Sequence, residues 1–121
     1  MTILLDTHIL LFSIADQLRR DEQRVLDDEL WAISSISLWE IAWLRREGRI
    51  EIGPEDPTLH RLVSELTVYP IDLRVASALS RLDYSSDPAD EIIGATSLVY
   101  DVPLVTRDVR MLRSGILRLA V

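Results

Sequence analysis

The chain contains no cysteine. Disulfides and thiolate metal sites are therefore excluded, and a reducing compartment is the compatible setting. Lysine is absent too: all thirteen basic residues are arginine. Any mechanism that requires a lysine is excluded. Long hydrophobic runs are also missing, since none approaches the roughly 20 residues of a membrane span. The first residues lack a basic n-region, so no secretory signal is expected and the cytoplasm is the expected location. No internal repeat or low-complexity segment occurs. Positive charge is scarce, with a formal net charge of −7. That opposes sequence-independent affinity for nucleic acid, which rests on Lys and Arg at phosphates. A divalent ion bound among clustered acids would reverse the local sign.

What is present is 121 residues, read as a single domain over 1–121 and long enough to bury a core unaided. Apolar strand-like runs alternate with helical periodicities along its whole length. Strands are expected at 2–6, 30–34, 68–71, 103–106 and 116–121, with a short extended piece at 50–52. Helices are expected at 8–16, within 16–28, and at 36–47, 58–66, 72–82 and 88–100, with a helical turn at 108–112. This alternation predicts an α/β fold: a mainly parallel sheet with helices on both faces, three layers in all. In such a sheet, ligands bind beyond the carboxyl ends of the strands.

Four acids fall at such places. Asp6 ends the first apolar strand, where it serves equally well as a helix N-cap. Glu40 follows the second strand. Ser37 to Glu40 reads as a capping box, but a helix starting at Ser34 or Ser35 leaves Glu40 in the second turn with no capping role. Asp90 lies in Asp87-Pro88-Ala89-Asp90-Glu91, where three acids exceed what a helix start needs. Gly94 and Ser97, four and seven residues on, are expected to leave space for a ligand beside it. Asp108 follows the strand that ends at Thr106. Clustered carboxylates repel and raise one another's pKa unless a cation sits among them. Hard oxygens without cysteine or paired histidine favour Mg2+ or Mn2+. One or two such ions activate water and stabilise the charge of an in-line displacement at a phosphodiester.

Other residues read more plainly. Thr106 is a hydroxyl donor behind the site. Arg107, with Arg110 and Arg113, is a candidate substrate rim. Arg45, Arg46 and Arg49 suit a solvated helix end equally well. His8 and His60 read as packing or surface residues, and Trp31, Trp39 and Trp43 as core or an oligomer interface.

The segments Leu4-Leu5-Asp6-Thr7-His8, Ser34 to Ala42, Asp87-Pro88-Ala89-Asp90 and Leu104-Val105-Thr106-Arg107-Asp108 together resemble a PIN domain. The resemblance is to the VapC-type toxin ribonucleases of type II toxin–antitoxin pairs, and it covers nearly the whole chain. It implies a three-layer α/β/α sandwich with Asp6, Glu40, Asp90 and Asp108 lining a Mg2+/Mn2+ site. It also implies RNA cleavage, a homodimer, and inhibition by a cognate antitoxin. Two positions depart from the pattern. Glu91 stands where many relatives carry Arg, and Leu44 followed by Arg45-Arg46 stands where many carry Lys. An aspartyl-phosphate enzyme is disfavoured by the missing lysine and by His8 in place of a second aspartate. The remaining alternative is a non-catalytic module of the same fold that binds a metal or a protein.

Overall fold

A computed structural model describes all 121 residues. It contains four strands, β1 (Thr2–Leu5), β2 (Leu30–Ser34), β3 (Thr67–Tyr69) and β4 (Leu104–Val105). Seven helices surround them: α1 (Thr7–Ile14), α2 (Arg20–Asp28), α3 (Ser35–Arg46), α4 (Pro57–Ser64), α5 (Leu73–Ala78), α6 (Pro88–Tyr100) and α7 (Val109–Leu112). The strand order is β3-β2-β1-β4 and every pairing is parallel. Leu4 stands opposite both Ala32 and Leu104, which fixes the register at the centre of the sheet.

Alternation along β1 divides the core. Ile3 and Leu5 point to one face, with Ile9 and Leu10 of α1, Leu26 of α2, Ile41 of α3 and Leu59 of α4. Leu4 points to the other, with Ile93 of α6, Met111 of α7 and Leu117. Successive side chains of a strand face opposite ways, so a continuously apolar β1 must be covered on both sides. The α5 helix packs on α6 through Val75, Ala78 and Ala95. The α/β/α sandwich expected from the alternation is therefore present.

The chain runs outward from β1 to β2 and β3, then returns to lay β4 on the other side of β1. That reversal makes the crevice beyond the carboxyl ends of β1 and β4 a topological switch point.

Several boundaries differ from the sequence reading. The last segment is not a strand: it meets the sheet by one bridge, Leu104 to Leu119, because β4 is only two residues long. Residues 50–52 form no strand. The helix expected over 72–82 stops at Ala78 and tightens into a 3-10 turn, Leu79–Arg81. Trp39 is not core. It is 56% exposed and stacks on Trp43 at 6.1 Å between ring centres. Trp31 is partly buried, and its indole N–H donates to the Leu26 carbonyl at 2.8 Å. No helix is long and apolar enough to cross a membrane.

Candidate active site

Asp6 leaves β1 and caps α1. One carboxylate oxygen accepts the Ile9 N–H at 2.9 Å, and the other accepts the Thr106 hydroxyl across the switch point. The two roles that the sequence offered as alternatives thus coexist in one side chain. Asp6 is 4% exposed. Burial raises its pKa above the ordinary carboxylate range, the Thr106 and Ile9 hydrogen bonds pull it down, and the charge of Glu40 raises it again.

Three serines, Ser34, Ser35 and Ser37, could each have started α3. The chain uses Ser34, whose hydroxyl accepts the Ile36 N–H at 3.2 Å. Glu40 therefore lies in the second turn and caps nothing. Ser37 is buried and accepts the Thr7 hydroxyl at 2.8 Å instead. Glu40 Oε1 is a buried atom with no hydrogen-bond partner. A buried acceptor left unpaired costs about 1–3 kcal/mol, so its presence calls for an unseen donor or cation.

Asp90, in the first turn of α6, accepts the Ser86 hydroxyl at 2.9 Å. Its pKa is raised to about 6 by burial, against the Ser86 hydrogen bond, with Asp108, Glu40 and Asp6 adding repulsion. Asp108 caps α7 by accepting the Met111 N–H at 3.1 Å. One oxygen of Asp90 and one of Asp108 remain free of protein donors.

These four acids come from four separated segments and line one cavity of about 300 Å³, with His8, Ile9, Phe12, Asp87 and Arg107. A larger groove, about 470 Å³, lies between α5 and α6 and has no carboxylate in its wall. Convergence of the acids is thus as the sequence predicted. They are not drawn tight, however: no three acidic or imidazole side chains stand close enough to hold an ion as arranged. Asp6, Asp90 and Asp108 are each pinned by their own donors, and mutual repulsion disfavours closer approach. The donor set itself fits a hard divalent cation. It is all oxygen, it includes an orphaned buried oxygen at Glu40, and its charge is uncompensated.

Arg107 stands in the cavity wall, with its guanidinium held by Glu22 through Nε at 2.8 Å and Nη2 at 2.7 Å. Two expectations are corrected. The space beside Gly94 is not left for a ligand, because the Tyr84 ring fills it. A Cβ built on Gly94 would lie 2.0 Å from the Tyr84 hydroxyl oxygen. Ser97 turns away and donates to the Val102 carbonyl at 2.6 Å. Tyr84 in turn donates to the Asp90 carbonyl at 3.0 Å, so Gly94 serves to seat the helix that carries Asp90.

Two wall residues escaped the sequence reading. Asp87 stands at the helix start among those three acids, but its side chain makes no capping bond and lines the cavity. His8, read as packing or surface, is exposed at the same cavity. Its place two residues after Asp6, in the first turn of α1, was the available signal. His60 lies in an apolar groove elsewhere. Glu91 accepts the Ser86 N–H at 3.1 Å and fastens the turn that holds Asp90.

Residues 3–116 match the PIN domain family. The chain is 33% identical over 119 residues to Ribonuclease VapC22 of Mycobacterium tuberculosis, covering 93% of this chain and 91% of that one. Its fold resembles VapBC2 from Rickettsia felis bound to a promoter DNA fragment, with a TM-score of 0.75 at 19% identity over 98% of this chain and 97% of that one. It also resembles DNA-bound VapBC from Salmonella typhimurium, with a TM-score of 0.73 at 20% identity over 98% and 96%. A toxin–antitoxin complex from Klebsiella pneumoniae aligns with a TM-score of 0.69 at 24% identity over 94% and 92%.

Proposed function

The chain belongs to the PIN domain family, and from that premise we propose that it is a VapC-type toxin, an endoribonuclease that hydrolyses RNA phosphodiester bonds with the help of Mg2+ or Mn2+. The observation that carries this reading is the cavity at the switch point, where Asp6, Glu40, Asp90 and Asp108 meet and Glu40 Oε1 is buried without a partner. The name and coverage of the mycobacterial relative support the ribonuclease assignment. The toxin–antitoxin names of the structural neighbours support an antitoxin partner.

In this reading Asp6, Asp90, Asp108 and Glu40 hold one or two ions. Such an ion supplies an activated water at neutral pH and offsets charge on the phosphate in flight. The chain's own contribution is placement. Thr106 and the Ile9 N–H fix both oxygens of Asp6. Ser86 orients Asp90, and the first turn of α7 orients Asp108. Asp87 adds a fifth negative group to the wall. The reading also carries a cytoplasmic location and pairing of two copies. The pairing is probed at Leu73 of α5, the most exposed large apolar side chain of the chain at 85%.

The test is cleavage of a mixed RNA pool by antitoxin-free protein, with Mg2+, with Mn2+ and with chelator. Discrete cuts that need the ion and disappear in Asp6→Asn support the proposal. No cleavage by folded protein under all three conditions contradicts it and favours a binding module.

A further inference from the structure

We propose that Glu22 and Arg107 form a positioning pair for the carboxylate site, a role that rests on the site reading above but is argued from contacts outside it. Arg107 sits between two residues that build the site, Thr106 and Asp108. Regular sheet pairing has ended at Val105. The Asp108 N–H bonds only to the neighbouring Thr106 hydroxyl oxygen at 3.0 Å, so the turn carries no backbone tie of its own to the α1–α2 side.

The Arg107 side chain provides that tie. It binds both oxygens of Glu22, donates from Nη2 to the Gln17 carbonyl at 3.0 Å, and lies 4.0 Å from the Phe12 ring centre. Glu22 is 2% exposed, and the same Oε1 also accepts the Arg19 N–H at 2.8 Å. A two-pronged guanidinium–carboxylate pair fixes direction as well as distance. Here it bolts the start of α2 to the turn between β4 and α7, across 85 residues of sequence.

The pair has a second consequence. Arg107 and Phe12 both line the acidic cavity, and Asp6 lies near enough for its charge to favour the guanidinium. A guanidinium free to turn there would compete with a metal ion for the carboxylates. Glu22 engages it from the far side and keeps it out of that competition. Glu22 does not line the cavity and touches no reacting group, so it acts only through Arg107.

The experiment compares Glu22→Gln, Arg107→Lys and the double variant with the intact chain. Amide hydrogen exchange of the metal-free proteins is read first. Asp108 and Met111 are expected to lose protection in both single variants, while Leu4 and Ala32 at the sheet centre keep theirs. Mn2+ affinity is expected to fall about tenfold in each, with the double variant no worse than either single one. RNA cleavage is expected to show a lower kcat at unchanged KM for Arg107→Lys. Wild-type exchange at Asp108 and Met111 in the variants overturns the pair, as does unchanged Mn2+ affinity where the intact chain binds the ion. A rise in KM alone overturns it in favour of direct phosphate contact. The exchange readout needs neither metal nor RNA. Lost protection in the variants together with no Mn2+ binding by the intact chain upholds the pair and refutes the site reading.

Discussion

Asp90 carries a cost in the metal-free protein that its replacement should reveal. Its pKa rises from 3.8 to about 6 through burial and the neighbouring acids. About two pH units corresponds to roughly 3 kcal/mol, which screening by solvent at this half-buried site reduces to about 1–2 kcal/mol. A group whose folded pKa is raised contributes stability at low pH that is lost as pH rises through the folded value. Asp90→Asn is therefore expected to melt higher than the intact chain in chelator at pH 7, by roughly 4–8 °C. The gap should shrink to nothing at pH 4. Thermal melts in chelator at the two pH values check this, and an equal gap at both contradicts it. Glu22 behaves oppositely: its hydrogen bonds with Arg107 hold its pKa low, so its contribution is lost only as pH falls below the ordinary carboxylate range.

Residue chemistry also decided what could be read in advance. Asp6, Asp90 and Asp108 each follow an apolar run or open a helix, so their candidacy is visible in local pattern. Glu40 was ambiguous because three serines compete to start α3, and only the end of β2 selects Ser34. The Arg107 pair was not legible. Its partner Glu22 lies in a polar helix that reads as a solvated surface, and nothing local marks that carboxylate as 2% exposed.

At the scale of elements, α6 shows how packing behind a site fixes the site. Gly94 lets the Tyr84 hydroxyl approach the helix and bond to the Asp90 carbonyl. Gly94→Ala is expected to displace that ring and cost about 1–3 kcal/mol, although alanine is the better helix former. Tyr84→Phe removes the oxygen that the new methyl would strike. The double variant should therefore be less unstable than the sum of the two singles. Denaturant melts of the four proteins measure this, and simple additivity would contradict it. The sequence presented Gly94 as empty space because a small residue does not say what fills the gap. The terminal segment misled for a related reason. Ile116 to Val121 is strand-like in composition, but strand formation needs a partner, and β4 offers only Leu104.

For the molecule as a whole, the alternation of runs was enough to give the layers, and the return of the chain to β4 brings the acids to one crevice. The order β3-β2-β1-β4 could not be deduced from alternation alone, because each helix permits its strand on either side of the sheet. The surface beside α5 is a whole-molecule question as well. Leu73 is 85% exposed, and Ile71 and Leu79 are exposed as well. Leu73→Glu is expected to convert a pair of chains into single ones, read as halved mass by light scattering. A single-chain mass for the unaltered protein contradicts the pairing.

In the proposed reading the acidic cavity takes an added cation, since the net charge is −7 and the one cavity-wall guanidinium is held by Glu22. The most direct measurement is calorimetric titration of Mn2+ into metal-free protein at pH 7, for the intact chain and for Asp90→Asn. Saturable binding by the intact chain that is lost or weakened at least tenfold in Asp90→Asn is the predicted result, since one carboxylate of the set is gone. No saturable binding, or equal binding by both proteins, would contradict the claim that these carboxylates form a cation site.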